Sequence, residues 1–128
     1  MEFRSHLPDN CPPEDAQSSS GTVYRMVIDK PSPQDFRSFR ELKPQKDYPS
    51  DCIASGLSIY TDAEGVRRLQ SRVPRFRKMK VARASLDESH GKMKNTPSNL
   101  HISHHTWWLA KDSEPWLNFN LVNIGDES

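Results

Sequence analysis

Ser55-Gly56-Leu57-Ser58-Ile59-Tyr60-Thr61-Asp62-Ala63-Glu64 is the stretch on which the fold reading rests. Residues 57–60 alternate with the period of a strand: Leu57 and Ile59 face one side, Ser58 and Tyr60 the other. Thr61-Asp62-Ala63-Glu64 follows at once with the spacing of a capping box, in which a hydroxyl and a carboxylate each satisfy an orphan amide. Val66, Leu69 and Val73 then recur at helical spacing, and Pro74 stops the helix. A strand that turns directly into a capped helix predicts a layered α+β domain, because sheet and helix must each bury an apolar face.

Toward the N-terminus, Thr22-Val23-Tyr24-Arg25-Met26-Val27-Ile28 is rich in β-branched and aromatic residues and ends at the turn Asp29-Lys30-Pro31, which predicts a second strand. Ser32-Pro33-Gln34-Asp35 reads as a helix start, with Phe36, Phe39 and Leu42 as its apolar face and Pro44 as its end. Residues 44–53 read as loop. Residues 1–20 contain Pro8, Pro12, Pro13 and Ser18-Ser19-Ser20 with little apolar content, and read as a disordered leader. The two cysteines of the chain, Cys11 and Cys52, form no CxxC pair, and Cys11 falls in that leader. Both are expected to be reduced thiols, consistent with a cytoplasmic protein.

Toward the C-terminus, residues 79–86 alternate and predict a strand, and 87–100 read as a polar loop. Residues 104–110 and 116–124 read as two strands of a hairpin across the turn Asp112-Ser113-Glu114-Pro115. Residues 125–128 read as a frayed tail. The expectation is one domain over residues 21–124: a small, mostly antiparallel sheet of about five strands with two packed helices. Its expected core is Val23, Val27, Phe36, Phe39, Leu57, Ile59, Val66, Leu69, Val81, Trp107, Leu109, Phe119 and Leu121.

At 128 residues and a net charge of +1, the chain is sized for one core and exerts no global pull on polyanions. No apolar run approaches the roughly 18–20 residues of a membrane helix, and no basic-then-apolar secretory signal opens the chain.

Four groups of residues carry the functional reading. His101-Ile102-Ser103-His104-His105-Thr106-Trp107-Trp108 holds three of the five histidines. On a helix, His101, His104 and His105 would share a face and bind zinc. Thr106, Trp107 and Trp108 favour a strand instead, where His104 and His105 point to opposite faces. Asp87, Glu88 and His90 would add ligands only by folding back. Arg25 interrupts an apolar strand; a guanidinium there needs a partner, and its planar fork suits a phosphate or ribose. Ser58 and Tyr60 share a face beside a helix start, where a phosphate is at home. Finally, eight Lys or Arg and no acid lie between positions 65 and 86, with Arg67, Arg68, Arg72, Arg75 and Arg77 as the candidate contacts for RNA or an acidic partner.

Val23-Tyr24-Arg25 on an early strand, Gly56-Leu57-Ser58-Ile59-Tyr60-Thr61 entering a capped helix, and a late strand with a polar catalytic-type residue together resemble the layout of small ADP-ribosyltransferase-like domains. The resemblance implies a split β-sheet with NAD bound between its halves. It implies that Arg25 grips the nicotinamide ribose or phosphate and that Ser58 and Tyr60 shape the nicotinamide pocket. It further implies that His104 or His105 orients the ribose. In the functional reading taken here, Trp107 or Tyr60 stacks the nicotinamide and His105 holds the ribose. The late strand lacks the Glu common in that family, and the Ser-Thr-Ser form of the second motif is absent. The expected function is therefore NAD binding of ADP-ribosyltransferase type. The rivals are a non-catalytic module for RNA or an acidic protein, a histidine-bound metal, and an interaction protein without ligand.

Overall fold

The computed structural model of the chain describes residues 1–126. Its centre is a seven-stranded, wholly antiparallel sheet. In chain order the strands are β1 (Gln17–Ser18), β2 (Gly21–Val27), β3 (Leu57–Tyr60), β4 (Lys80–Leu86), β5 (Gly91–Asn95), β6 (His104–Leu109) and β7 (Asn120–Val122). They lie side by side as β1-β5-β6-β3-β2-β4-β7. Three α-helices accompany them: α1 (Phe39–Leu42), α2 (Asp51–Ala54) and α3 (Ala63–Arg72). The α+β class stands, with seven strands where about five were expected and three helices where two were.

The strand-to-helix unit forms as read, with one change at the cap. Asp62, not Thr61, caps α3, its carboxylate accepting the Glu64 N–H at 2.8 Å. Thr61, just past the end of β3, donates its N–H to the Ser103 carbonyl at 3.2 Å, so its backbone serves the sheet rather than the helix.

Both faces of the sheet are covered. On one, Val23, Val27, Leu57, Ile59, Trp107 and Leu109 pack with Phe36 and Phe119. On the other, Tyr24, Met26, Tyr60 and Val81 meet Val66 and Leu69 of α3. Each fully buried aliphatic or aromatic side chain contributes about 1.5–3 kcal/mol of transfer free energy. Two expected core residues are on the surface: Phe39 is 51% and Leu121 43% exposed. The single helix expected from Ser32 to Pro44 is broken into a 3-10 turn (Pro33–Phe36) and α1. Ser38 caps α1, its hydroxyl accepting the Glu41 N–H. The break leaves Phe36 in the core and turns Phe39 and Leu42 outward.

The expected hairpin is not formed. Pro115–Leu117 is a 3-10 turn, and only Asn120–Val122 is extended. That strand pairs with β4, Leu121 opposite Ala82, because both edges of β6 are already taken by β3 and β5. β5 itself lies in the expected loop, with Met93 as its buried apolar residue.

Residues 1–20, read as a disordered leader, are instead packed against the domain. Gln17 and Ser18 add β1 to the sheet, Phe3 bridges Ala110, and Arg4 donates to the Phe36 carbonyl at 2.7 Å. Cys11 and Cys52 are joined in a disulfide, which overturns the reading of both as reduced thiols and removes the basis for placing the chain in the cytoplasm. Of the tail, Gly125 lies within a 3-10 turn (Ile124–Asp126), and residues 127–128 lie outside the described residues. Among the described residues no helix is long and apolar enough to cross a membrane.

Candidate functional site

β2 pairs with β4 from Gly21 to Val27 but with β3 only at Tyr24 opposite Tyr60. Beyond that pair the two strands part and the sheet opens. Arg25 is the first residue past the fork. Its Nη1 donates to the Ser58 carbonyl at 2.7 Å, and Nε and Nη2 donate to the Asp35 carbonyl at 2.9 and 2.7 Å. The guanidinium thus supplies the Ser58 carbonyl with the hydrogen bond that a continuous ladder would give it, and ties that strand to the Asp35 carbonyl in the 3-10 turn. It also sits 5.6 Å from the centre of the Phe36 ring. Burial lowers the Arg25 pKa to about 10, partly offset by Asp35, so the side chain is a cation at neutral pH. The Asp35 carboxylate is itself engaged, accepting the N–H groups of Ile28 (3.1 Å) and Ser32 (2.9 Å).

The opening is a cavity of about 420 Å³, within the size range of small-molecule sites. Arg25 and Ser58 line it from the two parted strands. Met26, Tyr60, Leu69, Phe76 and Met79 form an apolar wall. At its rim are the exposed Ile28, Phe39 and Leu42, with the exposed cations Arg37 and Arg75. Arg75 lies over the Phe76 ring, 4.7 Å from its centre. Burial raises the Tyr60 pKa, so its hydroxyl stays protonated.

His104 stands behind Ser58. Its Nε2 is 3.0 Å from the Ser58 hydroxyl, and its Nδ1 is 2.7 Å from the Thr96 carbonyl and 3.1 Å from the Thr96 hydroxyl. A carbonyl only accepts, so Nδ1 carries the proton and Nε2 is the acceptor facing Ser58. The Tyr60 ring meets the imidazole edge-on at 5.3 Å. Burial lowers the His104 pKa; the hydrogen bond to the Thr96 carbonyl offsets part of this, and His105 adds to the lowering.

The sequence-predicted residues therefore divide. Arg25, Ser58 and Tyr60 line one cavity, and His104 reaches it through the Ser58 side chain. His105 does not: it follows His104 on β6, faces the other side of the sheet, and its Nδ1 bonds to the Ser103 carbonyl at 2.9 Å. Trp107 is fully buried, with its N–H on the His90 carbonyl and its ring against Phe119, so no face of it is open to stack a ligand. His101 bonds the Ser103 hydroxyl at 2.8 Å. Among the described residues no group of three or more His, Cys, Asp or Glu is placed to hold a metal ion, and the His101–His104–His105 metal site is not assembled.

Of the basic residues, Arg68, Arg72, Arg75 and Arg77 are exposed on α3 and the turn after it. Arg67 is engaged by Glu64 and the Ile124 carbonyl. Arg37, Phe76, Met79 and Thr96 belong to the site but were not anticipated. Their signal is spatial: Arg37, Phe76 and Met79 come from turns around the opening between β2 and β3, and Thr96 is placed by its bonds to His104 on β6. No protein family, curated protein or solved structure matches this chain.

Proposed function

We propose that the cavity between β2 and β3 binds a nucleotide, and that the chain is an NAD-binding domain of ADP-ribosyltransferase type. The observation that carries this reading is that three arginines, Arg25, Arg37 and Arg75, line one cavity together with Tyr60 and Phe76. Apolar walls with a few placed polar groups suit a flat heterocycle, and exposed Arg forks suit phosphate oxygens. In this reading Arg37 and Arg75 contact the pyrophosphate. Arg25, already held by backbone carbonyls, contributes positive potential rather than a bidentate clamp. Tyr60 and Phe76 flank the nicotinamide, and the Ser58 hydroxyl meets the ribose with His104 behind it. Arg75→Glu leaves the core untouched and is expected to abolish an NAD-dependent rise in melting temperature. Absence of any rise in the unmodified protein at millimolar NAD contradicts the reading.

A second reading is favoured by a separate observation, the exposed Arg68, Arg72, Arg75 and Arg77 in a stretch without acids. In it the domain is a non-catalytic module for RNA or an acidic protein segment. Binding would then weaken steeply with salt, and Arg68→Glu with Arg72→Glu, neither of which lines the cavity, would remove it. The Cys11–Cys52 bridge supports an oxidising working environment for either reading.

A further inference from the structure

Ser58, His104 and Thr96 come from β3, β6 and the segment after β5, and only the fold joins them. The Ser58 hydroxyl points its hydrogen bond at His104 Nε2, 3.0 Å away, and the opposite ring nitrogen is tethered to the Thr96 carbonyl at 2.7 Å. That is the connectivity of an activated serine: nucleophile, base, and a third group that fixes the base's tautomer. A backbone carbonyl stands where a carboxylate stands in the better-known triads. Ser58 is half-buried and lines the cavity. Burial holds the imidazole neutral, which is the form a base needs; Tyr60 from β3 and His105 from β6 are its titratable neighbours.

We propose that Ser58 is a nucleophile, with His104 as its general base, that accepts an acyl group from a small anionic ester bound in the cavity. This shares its cavity and residues with the NAD reading but does not require that NAD binds. Ser58 Oγ attacks the ester carbonyl while His104 Nε2 takes its proton. The carbon–oxygen bond to the leaving alcohol breaks, and that alcohol leaves with the proton returned by His104. Water then attacks the acyl-Ser58, losing a proton to His104, and Ser58 recovers its hydrogen as the carboxylic acid departs. Arg25, bonded to the Ser58 carbonyl, sets a positive potential where negative charge develops on the acyl oxygen. Arg37 and Arg75 select for an anionic group on the ester, and the wall of Met26, Leu69, Phe76 and Met79 receives its apolar part.

The test uses 4-acetoxybenzoate, an acetate ester that carries a carboxylate, with the full chain in its disulfide-bonded form. The expected result is release of 4-hydroxybenzoate and an acetyl group located on Ser58 by peptide mass spectrometry. Ser58→Ala removes the acetylated peptide, and His104→Gln slows release by about a hundredfold. His105→Gln has no effect. Should His104→Gln fail to fold, the rate of Ser58 acetylation in the unmodified protein against pH decides. A rise through a single midpoint below pH 6.5 supports the proposal, and a flat profile overturns it. No acetyl group on Ser58, or equal rates in folded His104→Gln, also overturns it.

Discussion

Arg25 on β2 donates a 2.7 Å hydrogen bond to the carbonyl of Ser58 on β3, at the place where the two strands have ceased to pair. One side chain thereby bridges a fork in the sheet and makes the cavity affordable. Without it the Ser58 and Asp35 carbonyls would face an apolar gap with fewer donors.

The first expectation concerns that bridge. Arg25→Met removes all three hydrogen bonds and leaves two half-buried carbonyls short of partners, a loss of roughly 2–4 kcal/mol. Arg25→Lys, lacking the fork, is expected to recover only part of it. Urea unfolding of the three proteins measures both. Equal stability of Arg25→Met and the unmodified chain would show that the bridge is dispensable.

A second expectation follows from His104. Its pKa is lowered by burial from an ordinary value of 6.5. The unfolded chain therefore binds the proton first on acidification, and the neutral native form loses ground. The stability contributed is fully present above pH 6.5 and falls as pH drops through the folded value. His104→Gln should flatten this acid limb in chemical unfolding carried out between neutral and mildly acid pH. An unchanged acid limb in the variant would assign the dependence to another group.

The disulfide is the third. Cys11 and Cys52 are 41 residues apart, and closing a loop of that length removes chain entropy worth about 4 kcal/mol from the unfolded state. Reduction, or Cys11→Ser with Cys52→Ser, should lower stability by a few kcal/mol at most and raise hydrogen exchange in residues 1–20 before the central strands. Thiol titration of the native, unreduced protein should find no reactive cysteine. Two titratable thiols in the untreated protein would refute the bridge.

Gly65 supplies the fourth. On α3 an alanine would ordinarily stabilise the helix. Here its Cβ would collide with the Tyr60 ring and lie 2.7 Å from the Ser103 hydroxyl. Gly65→Ala is therefore expected to destabilise by about 1–3 kcal/mol, seen as a lower denaturation midpoint with an unchanged slope. A higher midpoint would mean that helix propensity outweighs the overlap.

How much of this was legible beforehand depends on what each signal measures. Leu57 and Ile59 alternate, and Val66 and Leu69 repeat at helical spacing, because each buries one face; such periods are visible in any single sequence. β5 was illegible because Lys92, Lys94 and Asn95 outweigh Met93, and its order comes from pairing with β6. The order of residues 1–20 comes from a disulfide and from backbone bridges, neither of which has a local signature. Arg25 was legible as a charge in need of a partner, but its partners proved to be backbone carbonyls, which composition cannot indicate. The opposite facing of His104 and His105 follows from strand geometry alone. The closeness of His104 to Ser58 depends on β6 lying beside β3, a pairing across more than 40 residues of chain.

The most direct test of the central claim, that a nucleotide occupies the opening between β2 and β3, is calorimetric titration of NAD into the unmodified protein and into Arg75→Glu at matched salt. Saturable binding is expected of the former and none of the latter, with both proteins equally folded by circular dichroism. No heat of binding from the unmodified protein at millimolar NAD, or identical isotherms for the two, would contradict it.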